Sequence, residues 1–149
     1  MTEYHLTSAP DDAAEEEITQ RLVAYNLRHT ATQPAAPDPP PQPLQLFARD
    51  DSGALVGGLI ARTHSIPFWL EVSILWVDEA QRGHGLGRRL MAQAEREAIQ
   101  RGCRYARLAT SDYQAPEFYP RLGYTRYGLL ADCPPGETVF YFWKPLPLA

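Results

Sequence analysis

The stretch Val77-Asp78-Glu79-Ala80-Gln81-Arg82-Gly83-His84-Gly85-Leu86-Gly87 constrains the fold of this chain more than any other segment. It joins an apolar run, Ile74 to Val77, to an amphipathic one, Leu86 to Ile99, through a turn with glycine at every second position. Glycine lets a backbone turn, and approach a ligand, without steric cost. A helix that starts at such a turn points unpaired N–H groups and the positive end of its dipole outward. Strand, glycine turn and helix start together make a cradle for phosphates.

Spacing decides which phosphates. A Walker loop needs Gly-x-x-x-x-Gly-Lys-Ser/Thr, and no Lys-Ser or Lys-Thr occurs in the chain. The dinucleotide fingerprint needs Gly-x-Gly-x-x-Gly, whereas Gly83, Gly85 and Gly87 read Gly-x-Gly-x-Gly. A third pattern, Arg/Gln-x-x-Gly-x-Gly/Ala, is met by Arg82-x-x-Gly85-x-Gly87. In this the chain resembles the GCN5-related N-acetyltransferase (GNAT) superfamily, where the loop holds the pyrophosphate of acetyl-coenzyme A. That family continues with a strand and then Asn-x-x-Ala-x-x-x-Tyr-x-Lys-x-Gly-Phe. Here the strand candidate Tyr105 to Thr110 is followed by Asp112-x-x-Ala115-x-x-x-Tyr119-x-Arg121-x-Gly123-Tyr124. The spacing matches throughout, with Asp for Asn, Arg for Lys and Tyr for Phe. The resemblance covers roughly Leu55 to Lys144.

The resemblance implies an α/β (α+β) chain with the GNAT fold: a mixed, mostly antiparallel sheet splayed open at the acetyl-CoA site and flanked by helices. It implies direct transfer of an acetyl group from acetyl-CoA to a primary amine within a ternary complex. Such a transfer needs a held cofactor, a deprotonated amine, a stabilised oxyanion and a protonated leaving thiolate. The backbone from Arg82 through Gly83, His84, Gly85, Leu86 and Gly87 is then expected to hold the pyrophosphate, with Arg88 beside it. Leu75, Trp76 and Val77 are expected to pair with the pantetheine arm and to supply an oxyanion donor. Asp112 and Ala115 align with cofactor contacts, although an ionised Asp only accepts hydrogen bonds where the family's Asn also donates.

Tyr119 aligns with the tyrosine that protonates the thiolate; the alternative is a core aromatic, a role Phe118 beside it also suits. Glu71, mid-strand between Leu70 and Val72, is the candidate general base, against the alternative of an exposed carboxylate on a strand edge. By alternation Trp69, Glu71, Ser73, Leu75 and Val77 share one face, which would make Trp69 and Ser73 substrate contacts. Asp132 and Glu137, in the last loop, either attract a cationic amine or are solvated charges. A competing class is a catalytically silent CoA-binding sensor or interaction protein with the same fold; turnover of any amine separates the two.

Composition bounds the rest. With 149 residues, 44% hydrophobic and 21% charged, the chain is expected to form a single domain over 1–149, which the resemblance implies is an N-acetyltransferase domain. No apolar run approaches the roughly 20 residues of a membrane helix. Met1-Thr2-Glu3-Tyr4 lacks the regions of a signal peptide, so no membrane partner and a cytoplasmic location are expected. A net charge of −4 argues against a nucleic-acid partner. Arg82, Arg88, Arg89, Arg96 and Arg101 form a local basic group suited to one polyanionic cofactor. Cys103, Cys133 and the four histidines show no ligand spacing, so no metal is expected.

Along the chain, Tyr4 to Thr7 reads as a short strand, and acidic Asp11 to Glu17 as the start of a helix carrying Ile18, Leu22 and Tyr25. Residues 34–43 hold six prolines and read as a stiff connector inside the domain. Strands follow over Leu44 to Arg49, Ala54 to Thr63 and Phe68 to Val77, then the loop helix, which Gly102 ends. Tyr105 to Thr110, Tyr124 to Leu130 and Val139 to Trp143 complete the sheet, with a short helix over Ala115 to Arg121. The aromatic last strand either packs internally or meets a partner, and a homodimer is one expectation.

Overall fold

A computed structural model describes residues 3–30, 39–66 and 68–148. The chain divides into two compact units, Met1–Asp38 and Pro39–Ala149. The first holds helix α1, Asp12–His29, whose first turn is acidic and whose N-cap Asp11 accepts from the Ala14 N–H at 3.0 Å. Tyr4 to Thr7 form no strand. Four residues that bear no flanking strand partner gain nothing from extension, and an apolar alternation of that length is a weak signal. Half of the proline connector, residues 34–38, lies outside the described residues; its end, from Gln42, is already strand.

The second unit is a six-stranded sheet in the order β1-β2-β3-β4-β6-β5. The strands are β1 (Gln42–Arg49), β2 (Leu55–His64), β3 (Trp69–Val77), β4 (Tyr105–Ser111), β5 (Thr125–Ala131) and β6 (Thr138–Pro145). Every pairing is antiparallel except β3 with β4, which helix α2, Leu86–Gln100, connects. The α2 residues Leu90, Met91, Ala94 and Ala98 are buried, as their spacing requires of one helix face. They meet Leu44, Leu59, Ala61, Leu70, Val72, Ala106, Leu108 and Phe142 in one core. Gly102, with φ of 88°, follows the helix and turns the chain toward β4.

Two features open the sheet. β3 and β4 pair over only four residue pairs, from Trp69↔Tyr105 to Val72↔Leu108. In the same place β3 carries an extra residue: Ile60 pairs with Ile74 and Ala61 with Val72, so Ser73 is bulged. A bulge bends and twists its strand. Beyond Val72, therefore, β3 keeps β2 on one side and diverges from β4 on the other, and the sheet forks.

Candidate active site

The bulge overturns the alternation expected for β3. Leu70 and Val72 are buried, and Leu75 and Val77 pack against the same core, while Ile74 is 55% and Trp76 42% exposed. One inserted residue moves every later side chain to the other face. Trp69 and Glu71 therefore do not share a face with Leu75 and Val77, and Ser73 marks the crossover.

A cavity of about 640 Å³ occupies the fork. Its β3 wall runs from Val72 to Val77, so Ser73, Leu75, Trp76 and Val77 all line it. The opposite wall is Leu108 to Thr110 on β4, and the floor is Phe118 and Tyr119. At its mouth stand Gln81, Arg82, Gly83, Gly85, Leu86, Gly87 and Arg88. The turn before α2 has the geometry that can seat an anion. Gly83 and Gly85 have φ of 79° and 84°, a region L side chains avoid, and a Cβ on either would meet nothing within 4 Å. Gly85 caps α2 without a side-chain hydrogen bond, so the first N–H groups of the helix keep their donors for a ligand. Arg82 braces the turn: its Nε donates to the Val77 carbonyl at 3.1 Å.

Other expected residues fall elsewhere. His84 and Asp112 are not among the lining residues, whereas Ala115 is. Asp112 ties the tip of β4 to β6: its N–H donates to the Thr138 carbonyl at 2.9 Å and its Oδ2 accepts the Thr138 N–H at 3.0 Å. The family's Asn position is here a strand clasp. Of the basic group only Arg82 and Arg88 border the cavity. Arg101, roughly 24 Å along α2 from the glycine turn, donates instead to the Pro43 carbonyl and to Thr63 Oγ1, at 2.9 and 3.3 Å. Asp132 closes the β5–β6 turn, accepting from the Gly136 N–H at 2.7 Å.

Glu71 lies outside the cavity lining, on the face away from the core with Trp69 and Arg107. Its Oε2 accepts from Arg107 at 3.1 Å and faces His64 Nε2 at 3.0 Å. Burial alone would favour its neutral form. The hydrogen bond and charge of Arg107, with His64 behind them, outweigh that and hold the carboxyl below its ordinary value. The Arg107 guanidinium lies 3.5 Å from the centre of the Trp69 ring. Trp69 is thus stacked under Arg107 rather than directed into the fork.

The expected short helix over Ala115 to Arg121 is two 3₁₀ turns, Pro116–Phe118 and Pro120–Leu122, entered through Ala115 at a φ of 53°. Prolines at 116 and 120 start each turn and withhold the N–H groups that a continuous α-helix needs. Tyr119 sits at their junction, 8% exposed, with its ring against Phe118, Tyr124 and Phe142. Burial pushes its phenol above the ordinary value, so it stays protonated at the cavity floor. Sequence reading missed Gln81, Thr110, Tyr113 and Gln114 of the lining. Alternation along β4 marks Thr110 with buried Leu108, but only the fork reveals that this face borders a cavity.

A sheet forked beside an uncapped, glycine-turned helix start defines an acyl-CoA-dependent acyltransferase. Residues 6–124 match the Acetyltransferase (GNAT) family, and the chain belongs to it. It is 34% identical over 141 residues to acetyltransferase Atu2258 of Agrobacterium fabrum, spanning 95% of this chain and 97% of that one. It is 42% identical over 109 residues to blasticidin-S acetyltransferase of Streptomyces morookaense, spanning 70% and 79% respectively. The crystal structure of an acetyltransferase from Bacillus cereus superposes with a TM-score of 0.75 at 29% identity, over 95% of this chain and 98% of that one. The protein is an acyltransferase of this family, whose acyl donor is acetyl-CoA. The site fits that donor: an anion seat at the mouth, a freed strand edge along one wall and a protonated phenol on the floor. Among the described residues no three His, Cys, Asp or Glu side chains gather to hold a metal ion, and no helix is long and apolar enough to cross a membrane.

Proposed function

We propose that the protein transfers acetyl from acetyl-CoA to an amine of a small molecule, by direct attack within a ternary complex. The observation that carries this reading is the cavity in the fork, which joins the glycine turn at one end to the Tyr119 phenol at the other. Acetyl-CoA supplies an activated thioester. The N–H groups from Gly83 to Arg88 bind the diphosphate, aided by the Arg88 charge, and the free edge of Leu75 to Val77 orients the pantetheine arm. Tyr119, kept protonated by burial at the cavity floor, gives its proton to the departing sulfur. Glu71, outside the cavity lining and tied to Arg107 and His64, is not placed to take the amine's proton within the fork, so the amine is proposed to lose that proton to solvent. The likeness to a blasticidin-S acetyltransferase supports an antibiotic-like amine as acceptor.

Calorimetric titration with acetyl-CoA tests the donor half, with Gly85→Glu as control. We expect a Kd on the order of 10 μM, within the usual enzyme range, lost in the variant. Release of the CoA thiol across a panel of amines that includes blasticidin S tests the acceptor half. Binding without turnover of any amine would leave a CoA-binding protein and sink the transferase reading.

A further inference from the structure

The start of α2 is gripped through two missing side chains. In β2, a Cβ on Gly57 would stand 2.9 Å from Leu86 Cδ2 and 3.3 Å from the Trp76 carbonyl oxygen, so the first residue of α2 fills that gap. One residue later, a Cβ on Gly87 would stand 3.3 Å from Phe118 Cζ and 3.7 Å from Val77 Cγ2. Gly87 lies inside α2 and is not among the residues of positive φ. Its backbone therefore does not ask for glycine, and helix propensity favours alanine. The GNAT loop pattern itself accepts alanine there. What fills the space is the Phe118 ring, which packs edge-on against Tyr119 with centroids 5.2 Å apart. Since Leu86 and the β2–β3 pair hold the helix start in place, a methyl at 87 requires the Phe118 ring to give by a few tenths of an ångström, toward the Tyr119 ring packed against it.

We propose that Phe118 is a positioning residue: seated over Gly87, its ring sets the separation between the diphosphate-binding turn and the Tyr119 phenol. Glycine stands at 87 to admit that ring, not to satisfy the backbone or the cofactor. The functional half of this inference rests on the acetyl-CoA site proposed above; the packing half does not.

Four proteins test it: wild type, Gly87→Ala, Phe118→Leu and the double variant, each by thermal unfolding and by calorimetric titration with acetyl-CoA. In the wild-type background Gly87→Ala is expected to lower the thermal midpoint and to weaken acetyl-CoA binding about tenfold, the mark of overpacking at the site. In the Phe118→Leu background the same change should raise the midpoint, because only helix propensity is left to act. Acetyl-CoA should then bind the double variant within about twofold of Phe118→Leu, a coupling between the two sites. A midpoint that rises in both backgrounds overturns the seating of Phe118. An affinity loss that persists undiminished in the Phe118→Leu background overturns the positioning role, since the methyl would then obstruct the cofactor directly. The midpoint arm needs no ligand, so failure of the acetyl-CoA reading itself shows separately, as a wild type that does not bind.

Discussion

At the scale of single residues, two titratable groups are shifted in opposite directions. Burial raises the Tyr119 phenol, while Arg107 and His64 overcome burial to lower the Glu71 carboxyl. Tyr119→Phe should reduce kcat about 100-fold, the usual worth of a positioned general acid, with acetyl-CoA affinity kept. An unchanged kcat would return Tyr119 to the role of a core aromatic. Because its folded pKa lies above the ordinary phenol range, any alkaline fall in rate due to Tyr119 belongs above pH 10 or so. Glu71 makes a claim on stability as well. Its folded pKa is depressed, so its contribution is present above the unfolded value, 4.5, and is lost as pH falls through the lower folded value. Urea midpoints of wild type and Glu71→Gln should therefore differ at neutral pH and converge below pH 4 or so. A difference that stays constant into acid would mean the Arg107 contact does not stabilise the charged form.

At the scale of elements, the glycine turn before α2 was legible because positive φ at Gly83 and Gly85 is geometry that sequence spacing records. Gly85, at a φ of 84°, begins α2, and a Cβ there meets nothing within 4 Å. Gly85→Ala and Gly85→Glu should thus share one backbone cost, about 1–2 kcal/mol for a left-handed non-glycine residue. Only the glutamate, carrying charge into the anion seat, should abolish acetyl-CoA binding. Equal loss of binding in both would assign the effect to backbone strain. The extents of β1 to β6 were legible too, since alternation and turn residues bound each of them. What sequence hid was the Ser73 bulge. Trp69-Leu70-Glu71-Val72-Ser73-Ile74-Leu75 carries no glycine or proline to mark a break, so strict alternation misassigned Trp69 and Glu71 to the face of Leu75 and Val77. The two 3₁₀ turns were hidden differently: Pro116 and Pro120 were visible, but the Ala-to-Tyr motif spacing suggested continuous helix. Asp112 was read as a weakened cofactor contact because its partner, the Thr138 backbone, lies 26 residues away in sequence.

At the scale of the whole sheet unit, the difficulty is a sheet split by a cavity and still required to stay together. Its halves, β1–β3 and β4–β6, pair through only the four residue pairs below the fork. Helix α2 crosses between them and is tied at both places. Arg101 at its C-terminal end donates to Pro43 and Thr63 on the first half. Glu95 accepts from Lys144 of β6 at 2.8 Å and from the Tyr124 hydroxyl at 2.9 Å on the second. Tyr124 in turn donates its N–H to the Tyr119 carbonyl at 3.1 Å, so the Glu95 tie reaches the cavity floor. Glu95 and Lys144 are mostly buried, their side chains 14% and 25% exposed. Glu95→Ala removes the acceptor from an ammonium and a buried hydroxyl together. It should cost about 2–4 kcal/mol by denaturant titration, since groups left buried without partners bear their full desolvation penalty. The ion pair itself need contribute little over apolar packing, so Glu95→Leu with Lys144→Met should recover the Lys144 share of that loss, the Tyr124 hydroxyl still lacking its acceptor. Activity separates stability from alignment. If the tie holds Tyr119 in register with the turn at the head of α2, the recovered double variant will still transfer acetyl more slowly than wild type. A fully active double variant would show that packing alone keeps the two halves of the fork aligned.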